Sequence, residues 1–591
     1  MKPFLYTLLI LLSACSSTTS VSPVTEDDGV SLYERALPPG ELSAMKDESA
    51  RVRAHAGWKG MVVSDDEVAS QWGVDILKQG GNAVDAAIAT AMMLAVTRPH
   101  AGSIGGGGFL LYCPSPKNTK HKECEVIDYR EQAPDASHAQ MFVVDGKPKT
   151  DLSQTGALAV GVPGVVAGLS TAHEKFGKLA WSRFFSEPIR RAQQGITVTP
   201  YMQRGIEERR EDFNSEAKKL FGNKKIGDII KQPDLAQVLA AVSARGRKGF
   251  YEGWVAQKIL AGLKSAGGLM TKDDLSNYAV KTRKPLQTTF NGFDIYTMPP
   301  PSAGGTLIIQ MLKYMEFADQ EGQLDRGYGS AKTLHAEAHA MKLAFADRAQ
   351  WFGDPEFTKI PLDQLLSQSY LKERWSDTFS SGSASQVKGS GINPKDFKHT
   401  THFSVIDAEG NAVALTTTIN DNFGSGFIAP GTGVFLNDEM DDFSIQPGVA
   451  NMFGLLGSEA NLVQGQKRPL SSMSPTIVRD MNGENRIVVG AAGGPRITTS
   501  VFQILMNRLR FGMQITDAMH AGRIHHQWKP EKLRIEKSQI SPDVAEKLQS
   551  MGYKVEMARE LAHAHALERD PATGLVWGAH DPRGEGDSVS Q

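Results

Sequence analysis

The stretch from His399 to Asn420 constrains this chain most. THFSVI (401–406) alternates polar and apolar residues, DAEGN makes a turn, and AVALTTTIN (412–420) follows as an apolar, β-branched run. Two such runs around a short Gly-containing turn read as a β-hairpin. If Ile406 pairs with Ala412 across the turn, Thr400 stands opposite Thr418, close enough for their hydroxyls to interact. Thr400 and Thr401 sit between His399 and His402 at the mouth of the first strand. A polar strand start is the ordinary reading of such a doublet. Thr401 points to the opposite face from Thr400 and reads as structural.

Other elements follow from local signals. SDDEVASQWGVDILKQ (64–79) reads as a helix capped by Ser64, with Glu67 completing a capping box and Val68, Trp72 and Ile76 on one face. Gly80-Gly81-Asn82 stops it, and the Ala/Met-rich run 83–96 reads as a buried helix. Next come GSIGGGG (102–108) and the strand FLLYC. A dinucleotide-binding glycine motif follows a strand and opens a helix, whereas the order here is helix, glycines, strand. These glycines therefore signal close backbone packing. The middle (181–374) is mostly helical, MPPPSAGGT (298–306) is a strand-to-helix corner, and 380–395 is a polar, exposed segment.

At 591 residues, 40% apolar and 22% charged, the chain can bury a large core, and it shows no internal repeat. A net charge of −2 excludes a nucleic-acid binder, which needs a basic excess or stripe. Residues 1–14, with Lys2 ahead of a short apolar run ending LSAC, resemble a bacterial lipoprotein signal cut before Cys15. That implies a lipid on Cys15, a flexible tether over 15–55 and a periplasmic protein on the outer membrane. An ordinary secretory signal with an incidental cysteine is the alternative. Cys113 and Cys124 close two apolar runs joined by a polar loop. They are either two free thiols or, as an oxidising compartment favours, a disulfide stabilising by about 3 kcal/mol.

Longer motifs go further. TTHFSVIDAEGNAV, NDEMDDFS (437–444), KRPLSSMSPTIV (467–478), GAAGGPRI (490–497), IDYREQAP (127–134), GGNAVDAAIA and GSIGGGGF together resemble the γ-glutamyltranspeptidase family. The resemblance implies an α+β fold, the four-layer αββα sandwich of N-terminal-nucleophile hydrolases. It further implies self-cleavage between His399 and Thr400 into a large subunit (56–399) and a small catalytic subunit (400–591) that stay together. The chemistry explains such a cut. A hydroxyl needs a base, and a freed α-amine has a pKa of about 7.7–8.0, against about 10.4 for lysine. Cleavage makes nucleophile and base in one residue, Thr400.

The resemblance also implies the remaining roles. Thr418 orients the Thr400 hydroxyl, and Gly493 and Gly494 offer N–H groups to the oxyanion. Arg130, helped by Ser471 and Ser472, takes the donor α-carboxylate. Asp442 takes the α-ammonium, with Asn420 and Glu439 adding polar contacts. Donors are then glutathione and other γ-glutamyl compounds, acceptors are water or amino acid and peptide amines, and no cofactor is needed. A glutaryl or cephalosporin acylase of the same fold, or a self-cleaved lipoprotein without catalysis, are the rival readings. One departure stands out: where many bacterial members place a lid tyrosine that bonds the asparagine matching Asn420, this chain has Phe453, which cannot. His399 and His402 form an HxxH, but residues three apart on a strand face opposite sides, so no metal site is expected. His525, His526, His563 and His565 are assigned no role.

Overall fold

The computed structural model describes residues 54–379 and 400–591, apart from Arg326 and Ser538. Cys15, the signal and tether up to residue 53, the polar segment 380–395 and His399 lie outside the described residues.

Two seven-stranded antiparallel sheets form the centre. One runs in the order Asp587–Ser590, Met61–Ser64, Thr400–Ile406, Ala412–Thr418, Gly107–Cys113, Glu125–Asp128, Lys281–Arg283. The other runs Ala54–Gly57, Val576–His580, His563–Arg569, Asn485–Ala492, Thr476–Arg479, Phe293–Thr297, Leu286–Phe290. Alternation along the strands makes the layers. In Thr400–Ile406, Phe403 and Val405 join the core under the helices Glu67–Lys78 and Ala83–Thr97. Ile406, with Ala412 and Ala414 of the next strand, packs instead towards Ile487, Val488 and Val489 of the second sheet. Helices Gly304–Gln320, Ala331–Trp351 and Arg496–Leu505 cover the second sheet's outer face. The architecture is α+β, an αββα sandwich.

The sheet that carries Thr400 interleaves strands from both sides of residue 399. Thr400–Ile406 pairs with Met61–Ser64, and Ala412–Thr418 pairs with Gly107–Cys113. A cut before Thr400 therefore leaves the two pieces joined by continuous ladders.

The first helix corrects the capping expectation. It begins at Glu67 with Asp66 as its cap, accepting the Ala69 N–H at 2.9 Å. Ser64 is instead the last residue of a paired strand, and its hydroxyl bonds Ser70 at 2.8 Å. Ladder pairing removed Ser64 from the capping position, and the carboxylate two residues on, Asp66, took it. Ala83–Thr97 begins with a capping box of Asn82 and Asp85. The glycine run does serve close approach: a Cβ on Gly106 would lie 1.9 Å from the Thr418 carbonyl oxygen, and one on Gly105 2.2 Å from that of Phe435. The second hairpin strand ends at Thr418, two residues short of the reading, because Asn420 turns to φ +73°. Cys113 and Cys124 are joined as a disulfide where Gly107–Cys113 and Glu125–Asp128 run antiparallel. Among the described residues no helix is long and apolar enough to cross a membrane.

Candidate active site

Strand pairing decides what Thr400 meets. The ladder runs from Ile406 opposite Ala412 to Thr400 opposite Thr418 without a slip, the register expected from the turn. It sets the two hydroxyl oxygens 3.3 Å apart. Thr418 Oγ1 also accepts the Asn420 backbone N–H at 2.9 Å. With that lone pair occupied, the Thr418 proton is available to point at Thr400 Oγ1. Thr401 faces the helical side, where it is buried and donates to Asp65 Oδ2 at 2.6 Å. His402 lies between the sheets, its ring nitrogens bonded to Thr416 Oγ1 (2.8 Å) and Ser404 Oγ (3.1 Å). Burial holds it well below the usual histidine range. Among the described residues no group of His, Cys, Asp and Glu is arranged to hold a metal.

Thr400 and Thr418 open onto one cavity shared with Arg130, Asn420, Glu439, Asp442, Ser471, Ser472, Phe453 and Gly494. Gly493 is the one expected residue that does not line it. It lies one step behind, at φ +136°, in the turn between strand Asn485–Ala492 and helix Arg496–Leu505. Gly494 follows at φ +58°, and a Cβ there would meet the Phe453 ring at 2.8 Å. Both positions demand glycine, for left-handed backbone and for clearance.

Arg130 is the buried hub. Its Nε and Nη2 donate to the Pro469 and Leu470 carbonyls, both at 3.2 Å, Nη2 also donates to Asp442 Oδ2, and Nη1 to Glu439. The fork is thus already answered by two carboxylates, Glu439 and Asp442. A third, Glu131, was missed: wholly buried, it lies 3.6 Å from Arg130 Nη1. Burial and the neighbouring Glu439 push the Glu131 carboxyl well above its ordinary range. Burial pushes Glu439 up to about 7 against the pull of Arg130, and also raises Asp442. Three carboxyls thus crowd one guanidinium, with Arg348 also acting on Asp442, and burial favours their neutral forms. The signal for Glu131 was its place beside Arg130 in IDYREQAP.

Asn420 Nδ2 donates to the Asp438 carbonyl at 3.1 Å and meets Met452 Sδ at 3.6 Å. Ser471 Oγ accepts the Met473 N–H at 3.1 Å, and Ser472 completes the wall beside it. Phe453 caps the cavity with its ring against Gly494, while Asn451 Oδ1 accepts its N–H at 3.1 Å.

The αββα sandwich with a threonine at the mouth of an inner strand is the N-terminal-nucleophile hydrolase type. The chain belongs to the γ-glutamyltranspeptidase family, whose model matches residues 69–590. It is similar to the glutathione hydrolase proenzyme of Escherichia coli (39% identical, 92% of this chain and 93% of that one). The glutathione hydrolase proenzyme of Pseudomonas aeruginosa is 42% identical, over 93% of this chain and 98% of that one. Among solved structures, a cephalosporin acylase from Bacillus halodurans superposes with a TM-score of 0.78 over 92% of this chain and 97% of that one. At 24% identity that likeness speaks for the fold alone.

Proposed function

We propose that this chain is a self-cleaving γ-glutamyltransferase and glutathione hydrolase with Thr400 as its nucleophile. The observation that carries the reading is the facing pair Thr400 and Thr418, opening onto a cavity that also holds Arg130, Glu439 and Asp442. In the precursor, Thr400 Oγ1 attacks the His399 carbonyl carbon, the peptide nitrogen leaves as the new α-amine, and water hydrolyses the resulting ester. The small subunit then begins at Thr400 and the large subunit ends at His399.

In turnover the α-amine accepts the Thr400 hydroxyl proton as the oxygen attacks the γ-carbonyl of the donor. Thr418 holds the hydroxyl, and the N–H groups of Gly493 and Gly494 receive the oxyanion. The leaving amine takes the proton, and a γ-glutamyl ester remains on Thr400. Water or an amino acid or peptide amine then attacks that ester and restores the hydroxyl. The scheme calls on no cofactor.

A γ-glutamyl end is a zwitterion, and the Arg130 cluster suits one. The incoming α-carboxylate exchanges with a protein carboxylate on the Arg130 fork, with Ser471 and Ser472 beside it. Asp442, so released, pairs with the α-ammonium, assisted by Glu439 and Asn420. Two ion pairs replace one, and no charge is left buried alone. A glutaryl donor lacks the ammonium and would leave that carboxylate unpaired. Cleavage after residue 14 would put a lipid on Cys15, with the tether 15–55 holding the enzyme at the periplasmic face of the outer membrane.

Product analysis with glutathione, with and without glycylglycine, tests the reading. Glutamate and cysteinylglycine are expected without acceptor, and γ-glutamyl-glycylglycine with it. Release from a glutaryl amide but not from a γ-glutamyl anilide would overturn it.

A further inference from the structure

Phe453 cannot make a side-chain hydrogen bond, yet the segment that carries it is closed over the cavity, with Met452 and Phe453 both buried. Within the segment and beside it, Asn451 Oδ1 accepts the N–H groups of Phe453 and Leu455, both at 3.1 Å, and Asp441 Oδ2 that of Met452 at 2.9 Å. From elsewhere in the chain, Asn420 Nδ2 meets Met452 Sδ at 3.6 Å and Arg348 Nη1 donates to the Leu456 carbonyl at 3.4 Å, but the Phe453 carbonyl itself has a partner of its own. Gln527 Nε2, 74 residues away, donates to it at 3.0 Å. A backbone carbonyl only accepts, so this bond fixes which end of the Gln527 amide faces the segment. Gln527 Oε1 is then left to meet His525 Nε2 at 2.9 Å. That oxygen is also only an acceptor, so His525 Nε2 carries the proton and His525 Nδ1 is an acceptor facing Thr499 Oγ1 at 2.9 Å, whose one proton it shares with the Arg496 carbonyl at 3.2 Å. Burial holds His525 down to about 3, so the ring stays neutral with one donor and one acceptor. Gln527, His525 and Thr499 are all buried.

Thr499 belongs to helix Arg496–Leu505, which starts directly behind Gly493 and Gly494. The relay Thr499, His525, Gln527 therefore ties the backbone of the covering segment to the element that presents the oxyanion glycines. From this geometry we infer that Gln527 is a positioning residue for the donor pocket. It holds the Phe453 segment closed through the main chain, where Phe453 has no hydroxyl to do so through its side chain. The inference rests on the donor-pocket reading above, since closure matters only if the cavity under Phe453 receives the γ-glutamyl group.

Gln527→Met keeps length and volume but has no donor. It is expected to raise the donor KM about three- to tenfold, the scale of one buried hydrogen bond. Cleavage into two chains should continue, and kcat should stay within about twofold. Hydrogen exchange of the peptide covering 445–456 should rise in the protein without substrate. A purely structural role would lower Tm with neither change. His525→Phe keeps a ring but leaves Gln527 unheld, and should move both readings in the same direction by less; it decides the matter if Gln527→Met does not fold. A folded Gln527→Met protein with wild-type KM and wild-type exchange over 445–456 overturns the inference. If wild type turns over no γ-glutamyl donor, the pocket reading fails, while the exchange measurement still shows whether Gln527 holds the segment.

Discussion

Thr418→Val probes the orienting role proposed for Thr418 with little change of shape. Valine keeps both branches at Cβ and removes the oxygen that faces Thr400 Oγ1 at 3.3 Å and accepts the Asn420 N–H at 2.9 Å. Two costs follow. The Asn420 N–H lies in a wholly buried turn, and leaving such a donor unpartnered costs about 1–3 kcal/mol. Asn420 also sits at φ +73°, and the lost bond is one that restrains that turn. The second cost is kinetic: an unheld Thr400 hydroxyl samples wrong rotamers, and misplacement on this scale costs up to about 100-fold in rate. Cleavage of freshly refolded precursor, followed on denaturing gels, and kcat on a γ-glutamyl anilide should therefore both fall by about 10- to 100-fold, with donor KM little changed. Thr418→Ser keeps the oxygen and should retain most of both rates. Wild-type cleavage and kcat in folded Thr418→Val would refute the orienting role.

Asp442→Ala should raise donor KM strongly, by an amount corresponding to about 2–5 kcal/mol for an unpaired buried charge, while cleavage continues because Arg130 keeps Glu439; unchanged donor kinetics would remove Asp442 from the pocket. Phe453→Tyr supplies a hydroxyl on the wall of the cavity that Asn420 also lines and should lower donor KM or shift the transfer-to-hydrolysis ratio, read from product analysis with glycylglycine. Replacing Cys113 and Cys124 together by alanine should lower stability by about 3 kcal/mol through the lost loop constraint, seen as a lower Tm with KM unchanged. Cys15→Ala should move the protein from the membrane fraction to the soluble periplasm without loss of activity; a wild type already soluble would contradict the anchor.

The hairpin at the site was legible because alternation and a single turn specify register, so Thr400 and Thr418 could be paired from the sequence. The glycine run was legible for what it excludes, since helix, glycines, strand is the wrong order for a phosphate cradle. Single-residue choices between elements were less so: Ser64 and Asp66 are equally good caps by type, and only strand pairing disqualifies Ser64. The Arg130 cluster was half visible. Motifs named its members, but that Arg130, Glu131, Glu439 and Asp442 share one buried space depends on how segments 309 and 312 residues apart meet. Gln527 was invisible for the same reason, because its partner is a main-chain carbonyl and no residue type at position 453 announces it.

The central claim is that Thr400 cuts its own chain and then serves as nucleophile and base together. N-terminal sequencing of the mature wild type, beside Thr400→Ala and Thr401→Ala, tests it most directly. Wild type should give a small chain beginning Thr-Thr-His-Phe, Thr400→Ala should remain one inactive chain, and Thr401→Ala should still be cut before residue 400, more slowly for want of its bond to Asp65. A small chain beginning at Thr401, or a fully active uncut chain, would contradict the account.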